Sequence, residues 1–154
     1  MSQMRRDIFT DRWVIVGQND RIQPGDFHFE KFRRDTAFCP FCEGNEAATP
    51  PEVFAIRNRG SSPNGPGWSV RVVPNSQPRL KIEGELGRRA EALHDLMNGV
   101  GAHEIIAETV RHDRSLHELE IEEISDVIRA YIARIVDLEG DTRVRYVLIF
   151  KNYG

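Results

Sequence analysis

The chain has 154 residues, 40% of them hydrophobic and 8% aromatic, enough for one ordinary domain with a buried core. Charged residues make up 29% and the net charge is −3, which excludes wholesale disorder and gives no electrostatic case for a nucleic-acid partner. No apolar run approaches the roughly 18 residues of a membrane span, and the Trp13-Val14-Ile15-Val16 run is too short for a secretory leader, so a cytoplasmic protein with no membrane partner is expected.

Those four residues, all strong β-formers, predict the first strand. Residues 18–34 are polar, with Pro24-Gly25 as turn punctuation. Residues 38–46 (FCPFCEGNE) followed by Thr49-Pro50-Pro51 predict a knuckle and a stiff loop, because the prolines exclude a helix. Residues 53–56 predict a strand. Residues 60–67 (GSSPNGPG) predict a flexible loop. Residues 68–73 (WSVRVV) alternate and predict a strand ending at Pro74-Asn75. The charged, Gly-interrupted residues 80–89 read as mobile, residues 90–97 as a short helix stopping at Asn98-Gly99, and residues 104–109 (EIIAET) as a buried strand.

The strongest periodic segment follows. Ile121, Ile124, Ile128, Ile132 and Ile135 recur at steps of three and four, with Val127, Tyr131 and Leu138 widening the same face. This predicts an amphipathic helix of about five turns. Glu118, Glu120, Glu122, Glu123 and Asp126 crowd its start and Arg129 and Arg134 come later, as the helix dipole favours; Gly140 is the candidate residue just past its end. Residues 145–150 (RYVLIF) predict a last strand buried on both faces. Such a strand normally feeds another element, so the chain reads as part of a longer protein.

The only cysteines, Cys39 and Cys42, cannot form a disulfide framework. Two intervening residues let both sulfurs reach one ion, and thiolates suit Zn²⁺. A tetrahedral site needs two more ligands, and the histidines available are His28, His94, His103, His112 and His117. His112 lies in a loop position between the EIIAET strand and the long helix, but spacing alone does not choose among the five. A structural zinc, a redox pair and a pair without cofactor remain open. The redox reading requires the cysteines to begin a helix that lowers a thiol pKa, and Gly44 and the prolines argue against that helix.

Six strings resemble, in order, the galactose-1-phosphate uridylyltransferase family of the histidine-triad superfamily. They are Arg5-Arg6-Asp7 through Val16; Cys39-Pro40-Phe41-Cys42-Glu43-Gly44-Asn45-Glu46 with Thr49 to Val53; Trp68 to Asn75; Gly99-Val100-Gly101-Ala102-His103-Glu104; His112-Asp113-Arg114-Ser115-Leu116; and Tyr146 to Gly154. The resemblance implies an α+β fold, an antiparallel sheet packed by helices, and a homodimer. It implies transfer of UMP between UDP-glucose and a hexose 1-phosphate through a covalent nucleotidyl-histidine, and a zinc held by two cysteines and two histidines. By position, Cys39, Cys42 and His112 correspond to three of those ligands. Asn75 and Asn152 correspond to nucleotide-binding residues, a role an amide suits as both donor and acceptor. His103 reads instead as a structural hydrogen-bonding residue, and His28, His94 and His117 as surface residues.

The sequence also departs from the family pattern. It contains no His-Pro-His, the family's segment for the fourth zinc ligand and the nucleophile, so no catalytic residue is assigned and the chain alone is expected to be inactive. In residues 17–24 (GQNDRIQP) only Arg21 remains where the family places two arginines for the hexose phosphate. Ser76-Gln77 follows Asn75 where an aromatic often sits. These differences keep two alternatives alongside the uridylyltransferase reading: a relative of the ADP-sugar phosphorylase kind, and a non-catalytic zinc-stabilised nucleotide-binding module. The resemblance treats residues 1–154 as one domain truncated before the catalytic motif.

Overall fold

The computed structural model describes residues 2–17 and 38–151, which form an α+β fold of two antiparallel sheets and one α-helix. They fall into two compact units.

The first unit comprises residues 2–17 and 77–103. Its sheet has four strands, β1 (Gln3–Arg6), β2 (Trp13–Val16), β5 (Arg89–Glu91) and β6 (His94–Asn98), in the order β2-β1-β6-β5. β2 forms where the β-rich run predicts it. β1 (Gln-Met-Arg-Arg) carries no hydrophobic alternation and is missed by sequence periodicity; it is held by ladders on both sides, Met4 opposite Ile15 and Met97. The helix predicted over residues 90–97 is instead the β5–β6 hairpin. Its turn holds Ala92 at φ +53°, and Arg89, Ala90 and Glu91 pair with Leu96, Asp95 and His94. Eight residues are too few for a helix to persist by propensity, and only Leu96, 1% exposed, is fully buried. Residues 80–88 are irregular, with Lys81 bridged to Val100.

The second unit comprises residues 38–76 and 104–151. Its sheet has the order β3 (Phe54–Arg57), β4 (Trp68–Pro74) and β7 (Glu104–Ala107), and the helix α1 spans Ile121–Glu139. β4 is the central strand and is buried more continuously than its alternating sequence predicts: Trp68, Val70, Arg71, Val72 and Val73 are all buried. The strand predicted over residues 104–109 is shorter and half-buried. Residues 60–67 contain no helix or strand, as their composition predicts.

Val70 packs with Val127 and Ala130 of α1, joined by Phe54, Ile56, Ile106 and Tyr131. The helix has the predicted extent, but its inward face is rotated from the one predicted. Val127, Ala130 and Arg134 are buried, whereas Ile121, Ile128, Ile132 and Val136 are exposed. Arg134 is admitted to the interior by Glu104, which accepts from its Nε and Nη2 at 2.8 and 2.7 Å. Paired and hydrogen-bonded, a guanidinium satisfies the condition for burying charge. Glu120 caps the helix reciprocally with Glu123. Gly140 closes it in a right-handed conformation, φ −65°, and not in the left-handed one that a glycine there commonly adopts.

Residues 145–150 form no strand. Tyr146, Leu148, Ile149 and Phe150 are exposed. A strand exists only through its ladder partners, and among the described residues none pairs with this segment. Lys151 is tied by an ion pair to Glu108, which also accepts from the Tyr131 hydroxyl at 2.5 Å. Burial, then that bond and the Glu108 charge, raise the Tyr131 pKa. Among the described residues no helix is long and apolar enough to cross a membrane.

Candidate metal centre

The cysteine pair lies in a tight turn of the second unit. The Cys42 amide donates to the Cys39 carbonyl at 3.3 Å, and the Asn45 amide side chain donates to the same carbonyl at 2.8 Å. Gly44 follows at φ +91°, a conformation glycine adopts without steric cost. A single 3-10 turn, Glu46–Ala48, then leads into Thr49-Pro50. No α-helix begins at the cysteines, so the helix N-terminus that activates a redox thiol is missing.

His112 arrives from a different part of the chain, five residues beyond β7. Its loop is anchored to α1 by Arg111, whose Nη2 reaches both Glu123 carboxylate oxygens at 2.8 and 2.6 Å, and is closed by a Ser115–Glu118 capping box. The result is convergence: one donor atom from each of Cys39, Cys42 and His112 lies within 4.8 Å of the others. Cys42 Sγ is 3.4 Å from His112 Nδ1. Both sulfurs are half-buried and the imidazole is exposed. Burial pushes the Cys42 thiol pKa up, and the neighbouring Cys39 pushes it the same way. The Cys42 thiol therefore resists losing its proton unless a cation supplies compensating charge. Two soft sulfur donors and an imidazole are three of the four ligands a tetrahedral zinc takes, so the donor set fits that ion.

The turn is docked on β4 through a polar cluster that sequence reasoning missed. Glu46, only 6% exposed, accepts from the Trp68 indole N–H at 2.8 Å, and its two oxygens share the Gly44 amide at 3.1 Å each. Burial alone would raise the Glu46 pKa; the Trp68 bond, backbone amides and the Arg71 charge outweigh it and hold the carboxyl below its ordinary value. Arg71, 2% exposed, donates to Glu52 at 3.0 Å and to the Thr49 hydroxyl at 2.8 Å, and Glu52 also takes Arg57 at 2.6 and 2.8 Å. Glu43 accepts from the Gly67 amide at 2.6 Å. The signal for this cluster was an arginine midway along a β-rich strand, whose charge needs a partner once both faces are covered.

A small cleft of about 70 Å³ adjoins the turn, lined among others by Phe41, Pro50, Val73, Ser76 and Ile105. Asn75 sits in the chain between two of its lining residues, Pro74 and Ser76. His103 Nδ1 accepts from the Arg79 amide at 3.0 Å, a structural bond of the kind predicted for it. Asn152, Arg21 with the rest of residues 18–24, and His28 lie outside the described residues.

Comparison with known proteins gives the same direction. The sequence profile described as galactose-1-phosphate uridyl transferase, N-terminal domain, matches residues 72–154. An ADP-glucose phosphorylase from Arabidopsis thaliana is 28% identical over 99% of this chain and 43% of its own length. The structure of an ADP-glucose phosphorylase from the same plant, with ADP-glucose bound, superposes with a TM-score of 0.56 at 29% identity, covering 95% of this chain and 41% of that one. A uridylyltransferase structure gives a TM-score of 0.57 at 26% identity, covering 90% and 36%. The chain thus spans under half the length of these relatives. With the profile matching more than half of its residues and the superposed structures sharing its α+β fold, the chain belongs to the galactose-1-phosphate uridyl transferase family.

Proposed function

We propose that this chain is the zinc-stabilised, nucleotide-sugar-binding part of a nucleotidyltransferase that moves a nucleoside monophosphate between a nucleotide sugar and a sugar phosphate. The observation that carries this reading is the meeting of Cys39, Cys42 and His112, on two separate chain segments, with a donor set suited to zinc. Zinc, when bound, supplies the charge that lets both thiols ionise and fastens the cysteine turn to the His112 loop. Asn75, beside the cleft, offers an amide donor and acceptor to the ribose or phosphate, with Asn152 and Arg21 as further contacts. The 154 residues include no His-Pro-His, so no nucleophile is assigned among them. The polypeptide is expected to bind without turnover, as a cytoplasmic homodimer.

For the nucleotide, UDP-glucose with a hexose 1-phosphate is the family-type substrate pair. A second reading, an ADP-sugar phosphorylase, is favoured by the ADP-glucose phosphorylase relative that aligns along 99% of this chain. The departures at residues 17–24 support the same alternative. Calorimetric titration of the zinc-loaded protein with ADP-glucose and with UDP-glucose tests both: heat with either supports the nucleotide-sugar reading, and the tighter ligand selects the base. No heat from either at millimolar concentration rejects it.

A further inference from the structure

We infer that Glu46 is a positioning residue for the metal ligands, fixing the cysteine turn at the distance His112 requires. The inference rests on the metal-centre reading above and adds a residue that is not itself a ligand.

The two cysteines and His112 are carried by different elements, so their meeting depends on how each is fastened to the sheet. The His112 loop is fastened by Arg111 to Glu123 and continues from β7, which pairs with β4. The cysteine turn reaches β4 through Glu46. This carboxylate spans two structures: one oxygen holds the Trp68 indole N–H of β4 at 2.8 Å, and both hold the amide of Gly44, two residues beyond Cys42. Its own backbone carbonyl takes a contact from Arg71 Nη2 at 3.5 Å and accepts from the Thr49 hydroxyl at 3.0 Å. A carboxylate buried to this degree is retained only if fully satisfied, and here each of its partners belongs either to the strand or to the turn itself. Removing it leaves the indole N–H and the Gly44 amide without that acceptor and loosens the cysteine end of the turn, while Arg71 still holds Thr49 at its other end and Glu43 still holds the Gly67 amide. Groups that orient metal ligands in this indirect way affect metal affinity by about 10- to 100-fold.

The test is competitive zinc titration against a chromophoric chelator, with Co²⁺ absorption as the spectroscopic readout, on the full chain and on three variants. Glu46→Ala is expected to lose about tenfold or more in zinc affinity and to weaken the thiolate-to-cobalt charge-transfer band. Glu46→Gln keeps an oxygen for the indole N–H and is expected to recover most of both signals, while also covering the case in which the alanine variant does not fold. Arg134→Met removes the buried Glu104 pair, which has no member in the cysteine turn, and serves as the stability control; it is expected to lower the melting temperature with zinc affinity unchanged. Wild-type affinity and spectrum in Glu46→Ala overturn the inference, as does an equal loss of affinity in Arg134→Met. A wild-type protein that takes up neither zinc nor cobalt overturns the metal-centre reading itself, a result distinct from either of those.

Discussion

Cys42 Sγ lies 3.4 Å from His112 Nδ1 although 70 positions separate the two residues in sequence. Neither side chain is fixed by its own element alone. The sulfur is presented by a turn docked on β4, and the imidazole by a loop pinned to α1 through Arg111 and Glu123. Bringing the two together therefore depends on how both segments are fastened within the second unit.

Replacing Cys39 by Ser removes one thiolate from the three-donor cluster. Zinc content is expected to fall from about one per chain towards zero, and the melting temperature by roughly 5 °C, as binding free energy to the folded state is lost. Elemental analysis and thermal denaturation of protein purified without added metal check both; unchanged values for metal and melting would reject the structural role of the pair.

The rotated face of α1 predicts opposite outcomes for two neighbouring apolar residues. Val127 is 1% exposed and packs on Val70, so Val127→Ala is expected to cost about 2 kcal/mol. Ile132 is 56% exposed, so Ile132→Ala is expected to stay within about 0.5 kcal/mol. Urea unfolding of the two variants decides; equal losses would contradict the helix orientation.

Asp141 provides the pH test. Arg143, by its guanidinium hydrogen bonds first, then by its backbone amide and its charge, holds the Asp141 carboxyl at about 2, below the ordinary 3.8. A depressed carboxyl contributes stability that is fully present above its unfolded value and is lost as pH falls through the folded one. The window for this link is therefore about pH 4 down to 2. NMR titration of the Asp141 carboxyl carbon is expected to give a midpoint near 2; a midpoint near 4 would show that the Arg143 contact is not formed in solution.

Asn75 tests the nucleotide reading. Asn75→Ala is expected to weaken nucleotide-sugar binding roughly fivefold to tenfold, the worth of about one hydrogen bond, while leaving zinc content unchanged. Calorimetry with the better of ADP-glucose and UDP-glucose measures it, and an undiminished affinity removes Asn75 from the site.

Much of this was legible in the sequence for identifiable reasons. The β-rich runs at residues 13–16 and 68–73 and the three-and-four spacing of isoleucines declare their elements locally. What failed is what depends on distant partners. Gln3–Arg6 is a strand only because β2 and β6 flank it, and residues 89–98 form a hairpin through a turn with no glycine or asparagine at its left-handed position, Ala92. Isoleucine periodicity located the inward face only in part: Val127 is buried and Tyr131 packs beside it, but Ile121, Ile128 and Ile132 are exposed, and Arg134, which the apolar pattern does not mark, enters the interior paired with Glu104. Residues 145–150 read as a buried strand from composition, which cannot supply a ladder. At the site, the cysteine spacing marked a candidate ligand pair, whereas choosing His112 took the family resemblance and its proximity to the pair took the fold. Glu46 gave no signal, since an acidic residue in a polar turn (Gly44-Asn45-Glu46) ordinarily reads as solvated.

X-ray absorption at the zinc edge of the loaded protein tests the central claim most directly. Two sulfur scatterers near 2.3 Å with nitrogen or oxygen completing a four-coordinate shell is the predicted result. A shell of oxygen and nitrogen alone would contradict the metal centre built from Cys39, Cys42 and His112.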